Sequence, residues 1–318
     1  MTTANTSFDR VASTTLKNYA SKLADNVSDN IPMFKYMKME GKGGVKLSGG
    51  DSIVLPLLHE FANAQSYSGS EVIDITKQDG ISAAEYNWKQ TICPAIIEGI
   101  EQARNSGPEK QESLMEDVLM QAELSLENKM AEMLAGDGTG NGGRDNLGFG
   151  ALFPTDPTTG TLGGINSATH SFWRNYTNTS VGSFASGGLA AISTAIRATM
   201  RGNDMIDVMF TGSTLYGYMQ TLASGRAEFT NPALADLNFK ALRVEGIDFV
   251  FDAKVPTDRI WGVNTKWTKL YIHKDNNFVT GKFIEPANQD ILVAKIKVYS
   301  QLATRRRESG FSLSGFSA

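Results

Sequence analysis

The stretch Leu147-Gly-Phe-Gly-Ala-Leu-Phe-Pro-Thr-Asp-Pro-Thr-Thr-Gly-Thr-Leu-Gly-Gly-Ile-Asn-Ser-Ala-Thr-His-Ser-Phe-Trp-Arg-Asn175 decides how the rest of the chain is read. It carries no catalytic constellation. Pro154 and Pro157 stiffen it, its glycines admit crowded or left-handed backbone, and Trp173 anchors its end. A segment of this kind gains order by packing against its neighbours, which points to a structural role. Its most distinctive residues are a turn, Gly163-Gly164-Ile165-Asn166, and a following Trp173-Arg174-Asn175.

Before this stretch the spacing predicts a long helix over Pro108 to Ala135. Pro108 suits a first helical turn. Glu109, Glu112, Glu116 and Asp117 sit where the helix dipole favours acid. Met115, Leu119, Ala122, Leu126, Met130 and Met133 step by three and four along one face, and Gly136 ends the run. At about 1.5 Å per residue the helix is roughly 40 Å long. One apolar face suits it to lie across a sheet as a spine. Earlier still, Asp51 to Leu58 and about Ala84 to Ile100 read as strands, with Pro56 marking an edge or a strand end. A polar loop of about twenty-five residues separates them, including Tyr67, Gly69, Lys77 and Gly80. A hairpin with so long a tip is marginal alone and needs another surface to lie on. Met39 to Gly50 reads as a glycine-rich flexible linker. Phe8 to Val27 reads as an amphipathic helix ended by the Asn30-Ile31-Pro32 break, too short to bury itself.

After the decisive stretch, a helix over Phe184 to Met200, a buried strand over Asp204 to Phe210 and a helix over Ser213 to Ala223 suggest a central α/β unit. Strands follow at Leu242 to Val244, Ile247 to Phe251, Ile260 to Val263 and Lys269 to His273. Two more runs, Phe278 to Ile284 and Ile291 to Ala303, read as strands of the tail.

The chain has 318 residues and a formal charge of −4, which argues against holding nucleic acid by neutralising phosphates. The one tight basic run, Arg305-Arg306-Arg307, reads as a solvated or ion-paired strand end. Cys93 is the single cysteine, so no intrachain disulfide can form, and its apolar setting reads as a buried structural thiol. No apolar run reaches membrane-spanning length and no signal peptide is visible, so a soluble product made in the cytosol is expected.

Motifs for chemistry fail on context. Gly138-Thr139-Gly140-Asn141-Gly142-Gly143 matches a dinucleotide pattern, but it follows a helix C-terminus, whose dipole repels phosphate. The same segment is not a calcium loop, because its third position is Thr139 and its twelfth is Gly148. His59, His170 and His273 lack ligand spacing. Ser213 lacks the second glycine of a nucleophile elbow. No acid, base and oxyanion site assemble, so no enzyme, cofactor or metal is expected.

The Gly163 to Asn166 turn with the Trp173 to Asn175 segment resembles a loop of the major capsid proteins of tailed double-stranded DNA bacteriophages. The order of elements resembles their Johnson fold, of the Hong Kong ninety-seven type, over nearly the whole chain. The resemblance implies an α+β fold in several parts. Residues 1–49 form an N-terminal arm, and 50–100 an extended β-hairpin, the E-loop. Residues 101–181 and 275–318 form a peripheral domain with its spine helix at 108–135, and 182–274 a central α/β axial domain. It also implies a shell of pentamers and hexamers that encloses phage DNA without sequence-specific binding. Its E-loop, here with Tyr67, Gly69, Lys77 and Gly80, reaches other copies by ring-closing contacts. A separate scaffolding protein, portal and decoration proteins are the further partners implied, with assembly in the host bacterial cytoplasm. No large proteolytic trimming is expected, because the arm begins almost at Met1. An encapsulin-type nanocompartment with enzyme cargo is the alternative on the same fold.

Overall fold

The computed structural model describes residues 31–104, 114–223 and 241–317. The expected arm helix over Phe8 to Val27 and the expected first turns of the long helix from Pro108 lie outside them. The first part of the chain comprises α1 (Pro32–Lys38), β1 (Gly44–Leu47), β2 (Ser52–Leu58), β3 (Ile81–Asn87), β4 (Lys89–Glu98), α2 (Gly99–Arg104) and α3 (Leu114–Ala135). Then come β5 (Thr161–Leu162), β6 (Ile165–Asn166), β7 (Tyr176–Asn178), β8 (Gly182–Ser183), α4 (Leu189–Thr199), β9 (Val208–Thr211) and α5 (Ser213–Ala223). The last part holds β10 (Ala241–Val244), β11 (Ile247–Phe251), β12 (Ile260–Val263), β13 (Thr268–His273), β14 (Val279–Thr280), β15 (Ile291–Thr304), β16 (Phe311–Leu313) and β17 (Phe316–Ser317).

Two sheets organise the molecule. In the first, the fourteen-residue β15 pairs antiparallel with β4, β13 and β14, and β1 adds parallel to β13. Alternate residues of β4 and β15, among them Ala95, Ile97, Ala294, Ile296 and Val298, turn into the core. Helix α3 packs on β4. Its buried row is Leu114, Val118, Ala122, Leu126, Met130 and Met133, whereas Met115 is exposed. The expected face was therefore displaced at its start: the contact follows an i+4 ridge, which runs obliquely to the helix axis.

The second sheet is mixed, in the order β10-β11-β9-β12-β16-β7. One face, with Met209, Phe249, Ile260 and Phe311, packs in a core with Ile192 and Ile196 of α4 and Leu215 and Met219 of α5. The other face, with Phe210, Val250 and Trp261, joins the core under the first sheet. Phe149 and Tyr36 bridge the two bodies, with Phe149 5.8 Å and Tyr36 6.0 Å from the Phe210 ring.

Three sequence expectations change. Pro32 opens a helix that was not expected: it stands at the start of α1, and the Met33 N–H donates to the Asp252 carboxylate at 2.9 Å. The supposed flexible linker contains β1, whose four residues pair with Leu270 to His273. Sheet membership also cuts across the expected segments. Thr268–His273, placed at the end of the central unit, pairs in the first sheet, while Tyr176–Asn178 and the unpredicted tail strand Phe311–Leu313 pair in the second.

Candidate assembly interface

The decisive stretch folds into a loop that binds mostly to itself. Gly163 and Gly164 form the two-residue turn between β5 and β6, with φ of 59° and 80°. A turn with positive φ at both central residues matches the twist of a hairpin and favours glycine. Gly163 is constrained twice, because a Cβ there would stand 3.0 Å from the Ala84 Cβ and 3.1 Å from the Tyr86 ring. Its carbonyl accepts the Glu85 N–H at 3.0 Å, which stitches the turn to β3. Gly164 has open space around it.

The other motif residues close the loop. Ile165 is buried. The Asn166 side chain accepts the Ala168 N–H at 2.8 Å, and its carbonyl accepts the His170 N–H at 3.0 Å. Buried Trp173 donates from Nε1 to the Leu162 carbonyl at 3.0 Å. Arg174 donates to the carbonyls of Ser167 and Ala168 at 2.7 and 2.9 Å. Asn175 donates to the carbonyl of Pro154 at 3.2 Å. All seven lie in one loop.

The residue that locks this loop was missed. Arg307 is buried, at 3% exposure, and no carboxylate pairs with it among the described residues. Its guanidinium donates to the Leu152 carbonyl at 2.7 Å, the Ser167 hydroxyl at 2.6 Å, the Ala151 carbonyl at 3.2 Å and the Trp173 carbonyl at 3.3 Å. Burial pushes it down to about 10, partly offset by Tyr86, so it keeps its charge at neutral pH. The reading of Arg305 to Arg307 as a solvated or ion-paired end holds for two of the three. Arg305 is exposed, and Arg306 pairs with Asp204 and Glu308. Arg307 turns inward because the chain breaks from β15 into a short 3-10 turn there.

Above this anchored root the β2–β3 hairpin opens into a loop in which every residue from 60 to 79 is exposed. Val72 is 98% exposed, Ile75 92%, Phe61 85% and Tyr67 66%. Gly69, with φ of 55°, and Lys77 lie on the same loop. Gly80 is different: it is buried at the root, its carbonyl accepts the His59 N–H at 2.9 Å, and a Cβ there would strike the Glu60 carbonyl. The structure thus separates Tyr67, Gly69 and Lys77 from the motif loop and places Gly80 where the tip leaves the body. The stem continues the apolar surface, with Val54, Leu58 and Ile81 exposed. Large apolar side chains gathered on one projecting segment mark an interaction surface.

No group of three or more His, Cys, Asp or Glu side chains among the described residues is placed to hold a metal ion. No described helix is long and apolar enough to cross a membrane. Cys93 is partly buried in β4, and burial pushes its thiol up, away from the reactive thiolate.

No family model matches the chain, and no curated protein matches it. Solved structures do. The chain is similar to one in the capsid asymmetric unit of cyanophage A-1(L), with 16% identity, a TM-score of 0.72, and 95% of this chain and 98% of that chain covered. It is similar to a capsid chain of a native GTA particle, with 10% identity, a TM-score of 0.67 and coverages of 95% and 96%. It is also similar to a chain of the holo-SrpI encapsulin complex from Synechococcus elongatus PCC 7942, with 9% identity, a TM-score of 0.61 and coverages of 97% and 96%. The fold is therefore the one these capsid and encapsulin chains share. It is the phage-capsid fold, of the α+β class, that the order of elements implied.

Proposed function

We propose that this chain is a shell subunit, the major capsid protein of a tailed bacteriophage, and that its copies associate as pentamers and hexamers into a closed icosahedral head. The observation that carries the reading is the pairing of a rigid root with an apolar, wholly exposed tip. The hairpin is stitched at Glu85 and Gly80, yet Phe61, Tyr67, Val72 and Ile75 face water. Burying each on another copy is worth about 1.5–3 kcal/mol. Phage DNA fills the shell without being read, consistent with a chain of net charge −4. The protein has no enzymatic role. Assembly takes place in the host bacterial cytoplasm, with a separate scaffolding protein, a portal and decoration proteins as further partners.

Shortening the tip tests this. Replacing residues 61–78 with a short turn leaves His59 and Gly80 in place, so the subunit is expected to fold and to lose particle formation in electron micrographs. Normal shells from that variant would remove the tip from assembly. The likeness to an encapsulin chain supports a second reading, a nanocompartment on the same fold. The contents of purified particles separate the two: nucleic acid favours the phage head, and folded protein cargo favours the compartment.

A further inference from the structure

The turn between β13 and β14 carries two local costs side by side. Phe278 has φ of 52°, and among the described residues it is the only large apolar side chain with left-handed backbone. The other two non-glycines in that region, Asn141 and Glu245, are polar turn residues. Beside Phe278, the Asn277 Oδ1 is buried and has no hydrogen-bond partner among the described residues. The turn is nevertheless tied into the first sheet. The Asn276 carbonyl accepts the Tyr299 N–H of β15 at 3.0 Å, and just past β14 the Gly281 N–H donates to the Lys295 carbonyl at 2.9 Å. Residues in such sparsely populated backbone persist only where their surroundings over-determine them, and they gather at switch regions.

What over-determines Phe278 is one ammonium. Lys38, the last residue of α1, places Nζ 3.8 Å from the centre of the Phe278 ring and 5.5 Å from that of Phe34, one turn earlier on α1. The same Nζ lies 3.3 Å from the Glu127 carboxylate of α3. The Phe34 and Phe278 rings meet at 6.3 Å and 51°. The Lys38 side chain is only 31% exposed, so water weakens its hold on the ring less than at an open surface. We propose that the Asn277–Phe278 turn is a sprung latch that couples α1 to the edge of the first sheet. With Lys38 in place the turn stays closed. When α1 shifts against α3, the ammonium leaves the ring, Phe278 relaxes to ordinary backbone, and β14 parts from β15. Strand β14 pairs through two residues, Val279 with Lys297 and Thr280 with Ile296, so few hydrogen bonds oppose the release. Linkage makes the coupling mutual: whatever draws β14 away also loosens Lys38 from the ring.

The latch lies within one subunit, so its test does not depend on shell formation. Hydrogen–deuterium exchange of the monomeric full-length chain reads it at the amides of Gly281 and Tyr299, with β9 and β11 as internal references. Lys38→Met keeps the apolar stem and removes the charge. It is expected to speed exchange at both amides by about fivefold or more, while β9 and β11 hold. Lys38→Arg, which keeps a cation over the ring, is expected to stay near the natural rates. Phe278→Asn separates strain from packing, because asparagine tolerates left-handed backbone and carries no ring. That variant is expected to exchange no faster than the natural chain, and adding Lys38→Met to it is expected to change nothing. Natural rates in Lys38→Met would overturn the proposal, as would a response shared by β9 and β11. So would loosening by Phe278→Asn as great as that by Lys38→Met, which would make the ring a packing contact alone, or a Lys38→Met effect that persists in the Phe278→Asn chain.

Discussion

Arg307 shows what one side chain does in this molecule. Its four hydrogen bonds reach acceptors on three separate segments, so its removal leaves buried carbonyls unpaired. Arg307→Met is expected to cost about 3 kcal/mol or more in urea unfolding. Arg307→Lys should recover little of it, because an ammonium cannot reproduce the planar fork. Nothing in the run Arg305-Arg306-Arg307 tells which of three identical residues turns inward; the break after β15 decides that, and it is a tertiary event. Asp207 carries the second residue-scale prediction. Burial pushes its carboxyl up, outweighing the donors on Thr265, whose N–H lies 2.8 Å away, and the attraction of Lys42. The folded chain therefore holds this proton longer than the unfolded chain. Its contribution to stability is fullest below the ordinary carboxylate range and is lost as pH rises through the raised folded value. Asp207→Asn keeps an acceptor for Thr265 and removes the buried charge. It is expected to unfold at higher urea than the natural chain near neutral pH, with the gap closing in acid.

At the scale of elements, the two glycines of the β5–β6 turn separate backbone strain from crowding. Gly164→Ala meets open space and is expected to cost about 1 kcal/mol for its left-handed backbone alone. Gly163→Ala meets Ala84 and Tyr86 as well and is expected to cost about 2–3 kcal/mol. It should also speed amide exchange at Glu85, which Gly164→Ala should leave unchanged. Elements with strong periodicity were legible in the chain: α3, α4, α5, β11, β13 and β15 all fall within a few residues of their expected places. Short elements defined by their partners were not. The glycines around Gly44–Leu47 read as linker because that strand exists by parallel pairing with β13, a signal no local window contains. Pro32 read as a stop because a proline at a first helical turn looks the same as one after a last. The seven motif residues were legible as one structural loop, and the tip was legible as a polar loop, but the interaction surface it offers is clear only once Phe61, Val72 and Ile75 are seen to be exposed.

For the whole molecule, the arrangement is a body with a continuous core through two sheets and a projecting arm that this core does not cover. The tail strand β16 lies between β12 and β7, so the end of the chain completes the second sheet while Arg307, just before it, locks the loop that holds the arm. Rigidity at the root and exposure at the tip are complementary: a tip that buried its own apolar groups would have nothing to offer a neighbour. We propose that other copies cover this surface. Light scattering with electron microscopy of the purified full-length chain, beside the variant shortened at residues 61–78, tests it most directly. Closed particles from the natural chain and folded monomers from the variant are predicted; compact monomers from the natural chain at every concentration and salt condition would contradict it.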